Sequence, residues 1–90
     1  RRLLPEKAVE DWSDPSGQLL LVEIQLPEAL AGKRLHDLGI PGQARLVAVT
    51  RAGVPRLDVA ELVGQEGDAL HVAVKKEALE ELETMLGGGS

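Results

Sequence analysis

Residues 62–74, LVGQEGDALHVAV, decide the fold. Leu70, Val72 and Val74 point one way and Ala69, His71 and Ala73 the other, the period of two that marks a strand. Ahead of them stand two glycines, Gly64 and Gly67, and two acids, Glu66 and Asp68. Such a run could hold a metal ion or phosphate, or it could be a turn that launches the strand. A phosphate loop needs more glycines and a Lys-Ser/Thr pair opening a helix, and a calcium loop needs regularly spaced oxygens before a helix. Neither pattern is present. The reading is a turn in which Gly67 takes a positive φ and Asp68 accepts nearby backbone N–H groups.

Downstream, KKEALEELETML (75–86) spaces Ala78, Leu79, Leu82, Met85 and Leu86 at three and four residues, a helix with one apolar stripe. Gly87 is placed to end it, and residues 87–90 read as a flexible tail. Upstream, LLLVEIQL (19–26) alternates as a strand, with Leu19 and Leu21 making its second face partly apolar. A short helix is expected near Lys33–Leu38, stopped by Gly39 and Pro41. ARLVAVTRAG (44–53) is a second strand, with Arg45, Val47, Val49 and Arg51 expected on one face. Arg51–Val54 is a natural turn into a third short strand within 54–62, which Pro55 marks as an edge or strand start. The order is β-α-β-β-β-α, an α+β fold with a small four-stranded sheet and two helices. Residues 1–18 read as a linker, with a helical piece around Glu6–Trp12 and SDPSG as a breaker. Two strands are apolar on both faces while the helices cover only one. A second copy of the chain is therefore expected over the other, making a homodimer.

Composition narrows the function. Ninety residues make one domain. Trp12 is the only aromatic residue, so the core rests on Leu, Val, Ile and Ala. Fifteen acids against ten bases give a net charge of −5, which argues against a nucleic-acid partner. The absence of cysteine removes disulfides and thiolate chemistry. The run LLLV (19–22) is far too short to span a membrane, and a cytoplasmic location is the default. The chain begins with Arg1 and not Met, which reads as a piece of a longer protein.

No nucleophile–base pair is visible. Ser13, Ser16 and Ser90 lie in terminal segments that cannot hold catalytic geometry. His36 and His71 lack the local pairing of a zinc site and read as a helix-surface and a strand-face histidine. The acids of EALEELE (77–83) read as a solvated helix face. Arg45 and Arg51, with Val47 and Val49 between them, suggest a basic-rimmed apolar patch suited to a dimer seam or a small anion. The expectation is a non-enzymatic domain that binds and transmits.

Three segments together resemble the TrkA-C, or RCK C-terminal, domain of potassium channel and transporter regulators. They are VEIQLPEALAGKRLHDLGIP (22–41), ARLVAVTRAG (44–53) and LVGQEGDALHVAVKKEALEELETML (62–86). The resemblance covers about residues 19–86 and implies an RCK C-terminal-like fold. It makes residues 1–18 the linker from an upstream RCK N-terminal domain that binds NAD(H) or ATP. It further implies a homodimer attached through a membrane potassium channel or transporter subunit to the inner face of the cell membrane, where ligands gate ion flux. Cyclic di-AMP, which some members bind across the dimer seam, would fall near Leu38, Ile40, Arg45, Leu46 and Val47, with Arg45 within reach of a phosphate. The other reading is a structural dimerisation module with no ligand of its own.

Overall fold

A computed structural model of the chain describes residues 8–86. Its centre is the pairing of β2 (Leu19–Gln25) with β6 (Ala69–Lys75), antiparallel from Leu19↔Lys75 to Gln25↔Ala69. Both strands alternate strictly, and cross-strand partners share a face. Leu20, Val22 and Ile24 of β2 are therefore buried with Leu70, Val72 and Val74 of β6. On the far side of β6 lies β4 (Ala44–Arg51), which carries β3 (Gly39–Ile40) and β5 (Val54–Arg56) along its outer edge. On the far side of β2 lies β1 (Ala8–Ser13). The order is β1-β2-β6-β4-β3, with β5 also on β4; neighbouring strands are antiparallel throughout.

The fold is α+β as expected, but it has six strands and one α-helix among the described residues. Two differences from the expected elements stand out. The helix expected near Lys33–Leu38 is a single 3-10 turn, Leu35–Asp37. Gly32 N–H donates to Gly64, Leu35 N–H to Leu62, and Gly64 N–H back to Lys33, so this segment is tied to residues 62–64 as if to a strand. Arg34 is extended and bridges Val63. Backbone groups bonded across the loop are not available for helical bonds. The helical piece expected around Glu6–Trp12 is instead, over residues 8–12, part of β1; Glu6 lies outside the described residues. SDPSG does break the chain, as a hairpin turn: Asp14 takes N–H bonds from Gln18 and Leu19 on one carboxylate oxygen, and Ser16 Oγ donates to the other at 2.7 Å.

The C-terminal helix falls where its apolar spacing puts it. A 3-10 turn at Lys76–Ala78 leads into α1 (Leu79–Met85), and Ala78 and Leu82 are buried with Leu79 and Leu86 packed beside them. Together with Leu35, Leu62 and Ile40 they cover one face of the sheet. The expected stop at Gly87 and the tail 87–90 lie outside the described residues. The other face carries Leu21, Glu23, His71, Ala73, Ala48 and Thr50, all half-buried, beside the exposed Trp12 and Leu19.

Candidate functional site

The most irregular part of the sheet is the middle of β4. Its pairing with β6 runs Ala44↔Val74, Arg45↔Ala73, Leu46↔Val72 and then skips to Ala48↔His71, so Val47 is a bulge. One extra residue reverses the alternation beyond it. Before the bulge Ala44 and Leu46 are buried; after it Val49 is. Arg45 and Arg51 therefore lie on opposite faces, and the basic-rimmed patch expected around both does not form.

The bulge also falls in a gap along the outer edge. β3 pairs with Ala44 and Arg45, and β5 with Val49–Arg51, so among the described residues Leu46–Ala48 have no strand neighbour on that side. Arg45 is exposed and faces Gly39 across the β3 pairing, where no side chain crowds it. Gly39 has φ +141°, and a Cβ there would lie 3.0 Å from the Ala44 carbonyl oxygen. Val47 is exposed too, at 40% of its surface. Of the five expected ligand residues, these two remain accessible. Ile40 and Leu46 are buried and Leu38 packs against the same core. The structure brings all five to one corner but turns three of them inward. An anionic group could be held there by a guanidinium that keeps its donors free for it, with an apolar contact alongside.

Arg51 has a different occupation. Its Nε donates to Asp68 Oδ1 at 2.9 Å and one terminal nitrogen to Asp68 Oδ2 at 2.8 Å, while that nitrogen also reaches the Val63 carbonyl at 2.7 Å. Gln65 N–H donates to the same carboxylate, as the turn reading required, and Gly67 has φ +94°. The Asp68 side chain is 1% exposed. The Arg51 hydrogen bond holds its carboxyl below the ordinary range against the opposing effect of burial, and Asp68 in turn raises the Arg51 guanidinium. This clamp fixes the 63–68 loop to β4. The observed register sets the pair: Thr50 pairs with Ala69, so the next residues along, Arg51 and Asp68, are neighbours.

His71 lies on the open face, where Thr50 Oγ1 and His71 Nε2 are 2.9 Å apart and Glu23 is its partner on β2. His36 is exposed on the Leu35–Asp37 turn. Among the described residues no cluster of three potential metal ligands occurs, and no helix is long and apolar enough to cross a membrane.

The TrkA-C domain family model matches residues 19–87, the span from the first residue of β2 through α1. This chain belongs to the TrkA-C family. It is also 33% identical over 89 residues to the Trk system potassium uptake protein TrkA of Streptomyces coelicolor. The alignment takes in 99% of this chain and 40% of that protein, so the chain spans well under half the length of its relative.

Proposed function

We propose that this TrkA-C domain is the regulatory, ligand-sensing part of a potassium uptake protein, and that it has no catalytic activity of its own. Family membership, together with a relative named as a potassium uptake protein, carries the reading. The corner at Arg45 and Val47 supports a ligand of nucleotide type. A phosphate would sit against the Arg45 guanidinium, and a base or ribose against Val47. Cyclic di-AMP has this chemistry, with two phosphates and two adenines.

The mechanism is a change of conformational balance. β3 is two residues long and is held by Pro41-Gly42 and one hydrogen-bonded turn, Gln43 N–H to the Ile40 carbonyl at 2.8 Å. A ligand that bridges Arg45 and the β3 edge binds one arrangement of that edge better than another, and the preference is passed to whatever contacts it. In the intact protein those contacts are an upstream RCK N-terminal domain binding NAD(H) or ATP, other copies of the chain, and a membrane potassium channel or transporter subunit. The domain would then work in the cytoplasm against the inner face of the membrane.

Calorimetry of the 90-residue chain with cyclic di-AMP, ATP, NAD+ and NADH tests this. Saturable heat with one of them, weakened at least tenfold by Arg45→Ala, is the expected result. Heat that Arg45→Ala leaves unchanged moves the ligand elsewhere. No heat with any of them leaves a structural assembly module.

A further inference from the structure

One end of the open face reverses the charge of the chain. Trp12 on β1 pairs with Leu21, Leu21 with Ala73 and Ala73 with Arg45, so these four residues share that face. Leu19, two residues before Leu21, pairs with Lys75 on the same face. Lys76 follows at the end of the sheet, where its N–H donates to the Gln18 carbonyl at 2.8 Å. Trp12 is 50% exposed and Leu19 41%, and Arg45, Lys75 and Lys76 are exposed beside them. The chain carries a net charge of −5, yet here three bases accompany its only aromatic residue. The nearby acids are placed differently. The Asp14 carboxylate is taken up by Ser16 and two backbone N–H groups of its turn. Glu80, Glu81 and Glu83 ride on α1, which packs on the covered face. Glu23 lies one row farther in and is half-buried, and Glu77 stands exposed at the rim.

We infer that this patch rests on an anionic phospholipid surface. An indole settles at the level of lipid headgroups, its ring in the apolar layer and its N–H in the wet one. Leu19 enters beside it, while Lys75, Lys76 and Arg45 lay their apolar stems along the boundary and keep their charges at the phosphates. A stable protein partner needs a larger, shaped apolar contact. Two exposed apolar side chains with three bases around them do not supply one. A lipid surface asks for no shape match, because apolar and basic side chains each add to the attraction on their own. Each base near such a surface is worth about fivefold in affinity. The attachment is therefore weak, half-maximal at about millimolar lipid. It orients a domain already held near the membrane and does not anchor it. The inference rests on the proposed function only for bringing the domain to the membrane, and a failure to bind nucleotides leaves it intact.

Vesicles of phosphatidylcholine, alone and mixed equally with phosphatidylglycerol, test it on the 90-residue chain without nucleotide. Trp12 is the only tryptophan, so its emission reports on the patch directly. Co-sedimentation with the mixed vesicles and a blue shift of that emission are expected, both lost at high salt and both absent with phosphatidylcholine alone. Lys75→Gln and Lys76→Gln should each weaken binding about fivefold. Arg56→Gln removes the same charge from β5, which pairs at the opposite end of β4, and should leave binding unchanged. Leu19→Ser should weaken binding, whereas Leu57→Ser, at a residue 77% exposed beyond β5, should not. Thermal unfolding of each variant checks that the fold is retained. Absence of binding to the mixed vesicles overturns the proposal and leaves the patch to an acidic protein surface. Equal binding to both kinds of vesicle overturns it as well. So does equal weakening by Lys75→Gln and Arg56→Gln, which would make net charge, and not this patch, the cause.

Discussion

At one end of β4, Arg51 is bonded to both oxygens of a buried carboxylate and to a loop carbonyl, and its side chain retains 20% of its exposure. At the other end, Arg45 stands in solvent beside a glycine. The two residues share a strand, a charge and, in strict alternation, a face. One bulge at Val47 separates them into a structural arginine and an available one. The difference shows that side-chain chemistry does not assign a role until backbone register has assigned an environment.

The largest test breaks the occupied end. Asp68→Ala leaves the Arg51 guanidinium and the Gln65 N–H without their acceptor. It should cost about 3 kcal/mol in urea unfolding, the low end for breaking a buried pair because Arg51 keeps some contact with water. The pair also gives an acid limb. Asp68 ionises below its ordinary 3.8 because Arg51 donates to it, so the unfolded chain binds more protons than the folded one as pH drops past that value. The stability it contributes is full above the unfolded value and is lost as pH falls through the folded one. Asp14 is shifted the same way by the Ser16 hydroxyl, so the difference between wild type and Asp68→Ala isolates the clamp.

Gly64 lies within the loop that the clamp holds. A Cβ there would meet the Leu30 carbonyl oxygen at 2.8 Å and the Leu26 and Leu35 side chains at 3.2 Å. Gly64→Ala should therefore cost about 2 kcal/mol through overpacking, readable as a lower urea midpoint with an unchanged slope. Ala52, just past Arg51, has φ +53° in the turn before Gly53, a conformation that asparagine adopts more readily. Ala52→Asn should raise stability by about 0.5 kcal/mol, seen as a higher melting temperature. The smallest effect belongs to the available end. Arg45→Ala should change stability by no more than about 0.5 kcal/mol. A larger loss would show that Arg45 supports the fold and would close the gap between the two arginines.

The regular parts of the fold were readable because their signal is local. Leu20, Val22 and Ile24, and Leu70, Val72 and Val74, alternate without a break, and Gly67-Asp68 before Ala69 has a turn's chemistry. The parts that were not readable depend on distant pairing. Lys33–Leu38 has helical propensity, but residues 62–64 take its backbone bonds. The bulge is silent because LVAV (46–49) is apolar in both phases, so nothing in it says where alternation reverses. The same applies to the candidate site. Resemblance placed Leu38, Ile40, Arg45, Leu46 and Val47 in one corner. It did not say that Leu38, Ile40 and Leu46 turn toward the core, since orientation follows from the bulge and from the two-residue length of β3.

The central position of β6 has a consequence for how the chain is made. Its neighbours β2 and β4 both precede it, and neither can bury its apolar side chains until β6 arrives between them. Synthesis proceeds from the N-terminus, so β1, β2, β4 and β5 all emerge before β6, the partner that β2 and β4 share. The β1–β2 and β4–β5 hairpins can form early, yet they remain separate, with Leu20, Val22 and Val49 uncovered. The core closes only once Lys75 and the helix after it have left the ribosome. Truncations that end anywhere before β6 should be unfolded in full, with no smaller unit surviving.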